Sequence, residues 1–231
     1  MKQSVLSQRL TQVKQLIPHD TKVLADIGSD HAQLPCYICL ERPSMKAIAG
    51  EVNEGPKQAA INQVTQFGLS DQIDVRLGDG LSVIERGEAD CITIAGMGGS
   101  LISSILTDGQ DKLSGDELLI LQPNIDANLI RRFAVDNQFV INYETVLQED
   151  GYYYEILVLT KSAQPVNYTE RELYLGPLML QQPNQAFREK WSSVYQNQQD
   201  IIQNMKQAKV PNQEKIEQFE QELHWIKEAL S

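Results

Sequence analysis

The sequence predicts an α/β fold: a seven-stranded, mostly parallel sheet with its last strand antiparallel, extended by a C-terminal helical hairpin. Three observations carry this. Apolar runs alternate with helix-patterned stretches as far as Asn137, which is the signature of repeated βαβ units and a sheet covered on both faces. The last two apolar runs are separated only by Glu149, Asp150 and Gly151, too few residues for a parallel crossover, so they form a hairpin. Past Lys161 the apolar period changes to steps of four and three.

A short helix opens the chain, with Leu6, Leu10, Val13, Leu16 and Ile17 at helical spacing. Strands follow at Lys22 to Ile27, Lys46 to Val52, Ile73 to Leu77, Ala89 to Ala95, Glu117 to Gln122, Phe139 to Leu147 and Tyr152 to Thr160. Helices are expected at Ala32 to Glu41, Pro56 to Phe67, briefly after Gly80, at Ser100 to Leu106 and at Ala127 to Asn137. Beyond them run two seams, Phe187, Trp191, Val194, Gln198, Ile201, Met205 and Ala208, then Ile216, Phe219, Leu223, Ile226 and Leu230. Val210, Pro211 and Asn212 break them apart, proline being unable to continue the first helix. An antiparallel hairpin results, read either as a packing or dimerising appendage or as a substrate-binding arm. Lys190, Lys206, Lys209, Lys215 and Lys227 lie within reach of phosphates in the second case.

A chain of 231 residues accommodates one substantial domain and an appendage, divided here into residues 1–162 and 163–231. Hydrophobic residues at 42% and charged residues at 22% imply a packed core rather than disorder. No apolar run reaches the roughly 18 to 20 residues that span a bilayer, and MKQSVLSQRLTQ lacks the apolar core of a signal peptide. A cytoplasmic location without membrane attachment is expected. The cysteines Cys36, Cys39 and Cys91 imply no disulfide framework. Cys36 and Cys39 make a lone C-x-x-C, read as a buried helix face because no second pair exists to complete a metal site. The net charge of -11 restricts any polyanion surface to a local patch.

In an open α/β sheet ligands bind beyond the carboxyl ends of the strands, where Asp26, Ile27, Gly28, Ser29, Asp30 and His31 fall. A dinucleotide site would read G-x-G-x-x-G; here only Gly28 remains, and Asp30 stands where a carboxylate would repel a pyrophosphate. S-adenosylmethionine has no phosphate and carries a cationic sulfonium and α-ammonium, which Asp26 and Asp30 would attract. The alternative is that Asp30 merely caps the helix beginning near Ala32. Glu51 closes the second strand, where an acid accepts from ribose hydroxyls. Asp79 and Gly80 follow the third, placed for an adenine amino group and for close approach of its ring, although Asp-Gly is also a common turn. The fourth strand ends in Ala95, Gly96, Met97, Gly98 and Gly99, a backbone open to the methyl donor or a flat base, or else simply tight packing of strand on helix.

Together DIGSDHAQLP, AGEVNEGP, RLGDGL, IAGMGGSLI, LQPN and EDGYYYEI resemble the bacterial tRNA adenine-N1 methyltransferases that modify adenine 22 in the D arm, the TrmK-like family. The resemblance runs from about Leu6 to Lys161, and members of that family carry a C-terminal coiled-coil-like extension. It implies a Rossmann-like class I methyltransferase fold, S-adenosylmethionine as cofactor and tRNA as substrate. Asp26, Gly28, Asp30, His31, Glu51, Asp79 and Gly80 become cofactor residues by it, with Ala95 and Gly96 beside them, and the target base lies near Met97, Gly98 and Asn124. No metal is implied, and a monomer is the favoured state.

N1 of adenine has a free lone pair, so the implied reaction needs no strong base and rests on in-line positioning and exclusion of water. The product base is cationic, so an acceptor facing its amino group, Asn124 or a carbonyl near Gly96, would stabilise developing charge. N1 is unreachable in a duplex, so the nucleotide must be unpaired or swung out and stacked, with Tyr152, Tyr153 and Tyr154 as candidates. Strand alternation sends Tyr153 to the opposite face from its neighbours. His31 is implied to contact the cofactor, whereas His19 and His224 are surface residues. The residues alone leave open a small-molecule or protein methyltransferase and a non-catalytic cofactor-binding module.

Overall fold

The computed structural model describes residues 6–231; residues 1–5, part of the segment read above for a signal peptide, lie outside the described residues. The strands are β1 Val23–Ile27, β2 Lys46–Glu51, β3 Ile73–Leu77, β4 Cys91–Gly98, β5 Leu118–Ile125, β6 Phe139–Glu149 and β7 Tyr152–Lys161. The helices are α1 Gln8–Leu16, α2 Gln33–Glu41, α3 Glu54–Gln66, α4 Gly99–Asp108, α5 Ala127–Asp136, α6 Glu170–Leu175, α7 Pro177–Gln181, α8 Gln185–Lys206 and α9 Gln213–Leu230.

One sheet holds all seven strands in the order β3-β2-β1-β4-β5-β7-β6. The first five are mutually parallel, and β7 runs antiparallel to both β5 and β6. The Rossmann-like sheet expected from the sequence is therefore present, with the closing hairpin inserted so that its second strand meets β5. Asp150 (φ 51°) and Gly151 (φ 82°) make the turn, both left-handed, as a two-residue hairpin of this twist requires.

Strand alternation divides the core. Ala25, Ile27, Ile92, Ile94, Leu119 and Leu121 face α4 and α5, whereas Leu24, Cys91, Ile120 and Ile156 face α1, α2 and α3. Cys36 and Cys39 lie in the second of these layers, on the buried helix face expected of them, and burial pushes their thiols up to about 12 and about 11.

Two boundaries moved for an informative reason. β4 continues through Gly98 and β5 through Ile125, beyond the expected ends at Ala95 and Gln122, because the extensions pair with each other across a bulge (Met97 with Pro123, Gly98 with Ile125). The glycine-rich segment is bulged strand rather than loop.

The C-terminal hairpin forms, but its first seam drifts. Phe187, Trp191, Gln198 and Ile202 are buried while Ile201 is 46% exposed. A straight helix turns every 3.6 residues, so a strict heptad walks off the contact line and the neighbouring isoleucine takes its place. Helices α6 and α7 carried no periodic signal that marked them; Thr169 starts α6 with a capping box to Glu172, and Pro177 starts α7. A third core of Val146, Leu175, Met179, Phe187, Trp191 and Ile226 seats these helices on β6.

Beneath them lies a buried ion cluster. Arg131 of α5 donates to Glu144 of β6 at 2.6 Å and also pairs with Glu155 of β7, whose other oxygen takes Lys190 of α8. Lys190 is thereby committed to structure and not to phosphate. Among the described residues no helix is long and apolar enough to cross a membrane.

Candidate active site

At the carboxyl ends of β1, β4 and β5, a cleft of about 270 Å³ is lined by Arg9, Leu10, Asp26, Gly28, Ser29, Asp30, Leu34, Ala95, Gly96, Met97, Asn124 and Tyr154. Its floor is a carboxylate. Asp26 is 5% exposed, and its Oδ1 accepts from the Thr93 hydroxyl at 2.5 Å. Among the described residues no Lys or Arg forms an ion pair with it. Burial pushes its carboxyl up to about 7, against the Thr93 bond and with help from the charges of Glu51 and Asp30. The Arg9 charge also lowers it, but without an ion pair, so a buried acid with a perturbed pKa faces the cleft and marks it as a candidate site for a cationic group.

The turn after β1 is strained and held. Gly28 (φ 68°) is followed by Asp30 (φ 44°), His31 (φ 63°) and Ala32 (φ 58°), three non-glycine residues in the left-handed region at about 1–2 kcal/mol each. Its neighbours fix it. The amides of Gly28 and Ser29 donate to Gly50 O at 2.9 and 3.1 Å. Glu51 Oε1 accepts from the Ser29 hydroxyl at 2.8 Å and from the His31 amide at 3.2 Å, and the Ser29 hydroxyl accepts from the Ala32 amide. Asp30 does not cap α2, whose first turn takes no side-chain bond from it; its carboxylate is 76% exposed, 3.7 Å from His31 Nε2. Capping is thus set aside by geometry, since the helix enters through a left-handed Ala32 that leaves no side-chain oxygen in place. Gly28 is favoured by its φ, and a Cβ there would lie 2.2 Å from Met97 Cε, so a larger residue would also displace the end of the Met97 side chain.

The opposite wall is β4 and β5. Asn124 donates to Gly96 O at 2.8 Å and accepts from Gln122 Nε2 at 3.3 Å. Gln122, fully buried, also accepts from the Gly96 amide at 3.0 Å and from Arg9 Nη1. Arg9 stands 5.6 Å over the Tyr154 ring centre. Gln122 and Arg9 were not singled out from the sequence. A glutamine directly closing the apolar run Leu118 to Leu121 is a legible signal for the first; nothing local marks Arg9, which reaches the site from α1.

The sequence-derived residues divide. Asp26, Gly28, Asp30, Ala95, Gly96, Met97 and Asn124 line this cleft. Glu51, buried, stands behind its wall on the Ser29 hydroxyl, and His31 does not line the cleft: its amide donates to Glu51 while its side chain is half exposed. Asp79 and Gly80 line a separate hollow of about 210 Å³ with Leu101 and Ile105, which shares no lining residue with the cleft; the Gly78 amide on Glu51 O at 2.9 Å ties the end of β3 to that of β2. Gly98 lies beside Ile125, and Gly99 is tight packing, since a Cβ there would meet Asp126 O at 2.0 Å. Of the three tyrosines, Tyr154 lines the cleft, Tyr153 packs against the third core on the opposite face and Tyr152 is exposed.

The family model described as tRNA (adenine(22)-N(1))-methyltransferase matches residues 24–228. The chain belongs to this family. It is 43% identical over 236 residues to the tRNA (adenine(22)-N(1))-methyltransferase of Bacillus subtilis, across 100% of this chain and 99% of that one. The crystal structure of the B. subtilis m1A22 tRNA methyltransferase TrmK superposes with a TM-score of 0.92 at 42% identity, covering 99% and 100% of the two chains. Sp1610 of Streptococcus pneumoniae, in complex with S-adenosyl-L-methionine, superposes with a TM-score of 0.87 at 35% identity over 98% and 100%. The family settles in favour of methyl transfer to tRNA the choice that the residues alone had left open.

Proposed function

We propose that the Asp26–Tyr154 cleft is where this tRNA (adenine(22)-N(1))-methyltransferase binds S-adenosylmethionine and presents the target adenine to it. The observation that carries the reading is the buried Asp26, held without an ion pair in a cleft whose turn carries Gly28 in the left-handed region. The donor set fits the cofactor. Asp26 and Asp30 offer negative charge to a ligand with two cationic groups, and Gly28 gives it room. Glu51 keeps Oε2 free of the bonds that occupy Oε1 and takes the ribose; Asp79 and Gly80, just past the end of β3, take the adenine end.

When bound, the cofactor supplies an electrophilic methyl on sulfonium sulfur. The chain's part is placement. Met97, Gly98 and Asn124 border the target base, Ala95 and Gly96 bring their backbone close to the methyl donor, and Tyr154 gives the swung-out base a stacking surface. N1 arrives with its own lone pair, so none of these residues must remove a proton first. The Gly96 carbonyl, accepting from Asn124, and Asn124 Oδ1, accepting from Gln122, gather acceptor oxygens on the wall where the base becomes cationic.

Residues 1–162 make both binding surfaces in this reading, and residues 163–231 form a helical appendage seated by the Arg131 cluster. The purified chain, incubated with unmodified tRNA and S-adenosylmethionine, is expected to yield 1-methyladenosine at position 22 on nucleoside analysis. No such product from protein that binds the cofactor would contradict it.

A further inference from the structure

Gln122 is fully buried, with every polar atom of its side chain engaged. Its side-chain nitrogen donates to Pro123 O at 2.8 Å and to Asn124 Oδ1 at 3.3 Å, so both N–H groups are committed and the amide cannot flip. Oε1 is thereby aimed at the cleft, with one lone pair on the Gly96 amide and the other on Arg9. Arg9 is what covers it. Its guanidinium is flat, lies over Tyr154 and runs along Gly96, where an added Cβ would sit 3.5 Å from Nη1 and 3.8 Å from Nη2. A flat N–H donor placed over a tyrosine ring and bonded to a buried oxygen presents the same groups as an adenine with its exocyclic amino group would in that place.

We propose that Gln122 Oε1 is the acceptor that reads the exocyclic amino group of the target adenine, and that the Arg9 side chain occupies that acceptor and the Tyr154 face until the base displaces it. The inference rests on the cleft being the active site. Arg9 can swing while its helix stays put, because the start of α1 is anchored by backbone amides: Gln8 and Arg9 donate to the Glu149 carboxylate at 2.5 and 3.1 Å. The exchange keeps the buried oxygen bonded in both states, which a simple opening would not. Returning Arg9 also repels the cationic product base.

The test compares kcat/KM for tRNA carrying adenine or 6-unsubstituted purine at position 22, in wild type, Gln122→Met and Arg9→Ala, with cofactor affinity measured by calorimetry on each. Wild type is expected to favour adenine by about tenfold or more. In Gln122→Met that preference shrinks severalfold; in Arg9→Ala it persists and KM for tRNA falls. Equal use of both tRNAs by wild type overturns the inference without any variant, so misfolding of Gln122→Met would not shield it. An undiminished preference in Gln122→Met that binds cofactor normally overturns the reading role, and a raised KM in Arg9→Ala overturns the guard. Failure of the site itself has a different signature: Asp26→Asn would then bind cofactor as tightly as wild type.

Discussion

Two buried carboxylates on one sheet, Asp26 and Glu155, have opposite surroundings. Glu155 sits between Arg131 and Lys190, which outweigh the burial penalty and hold its carboxyl down at about 2. Asp26 is bonded only by the Thr93 hydroxyl, with the Arg9 charge acting without an ion pair as the smallest influence, and burial pushes it up to about 7. The fold pairs its acid directly with cations where charge serves to fasten helices to the sheet; in the cleft the one arginine, Arg9, is turned onto Gln122 and Tyr154 and makes no ion pair with Asp26. What separates a structural acid from a binding acid here is the missing partner, not the burial.

Breaking the paired region should have the largest effect. Arg131→Ala leaves Glu144 and Glu155 facing each other in the interior and is expected to cost about 3–5 kcal/mol in urea unfolding. A loss below about 1 kcal/mol would show that the cluster fastens nothing. Gly28→Ala is expected to cost about 1–2 kcal/mol for the left-handed φ alone, plus displacement of Met97; Met97→Ala in the same chain should relieve the contact but not the φ, a partial rescue readable in Tm. Asp30→Ala, at an exposed position, should weaken S-adenosylmethionine binding by about two- to fivefold while leaving Tm nearly unchanged. Unchanged affinity by calorimetry would remove Asp30 from the site.

The two acids should also respond oppositely to pH. Glu155 binds fewer protons folded than unfolded, so its contribution is present above its ordinary 4.5 and is lost as pH falls towards about 2. Asp26 binds more protons folded than unfolded between 3.8 and about 7, so its contribution to stability declines as pH rises through that window. Asp26→Asn, able to keep the Thr93 bond, should flatten the decline; urea midpoints for both proteins from pH 4 to 8 would check it.

The sheet was legible because strands and helices write their periods locally, and Asp26, Gly28 and Asp30 because ligands gather at the first strand-to-helix turn of such a sheet. Ile202 replacing Ile201 was not, since a heptad template cannot follow a 3.6-residue helix for long. Nor was the Arg9–Gln122 pair, whose members are joined only when α1 crosses the carboxyl end of β5. Helices α6 and α7 are shorter than the windows in which periodicity can be read.

Calorimetric titration of S-adenosylmethionine into wild type and Asp26→Asn at pH 6 and pH 8 tests the central claim, that a buried acid held without an ion pair binds the cationic cofactor. Wild type is expected to bind more tightly than Asp26→Asn, with the gap between them widening from pH 6 to pH 8 as Asp26 ionises. Equal affinities for the two proteins at both pH values would contradict it.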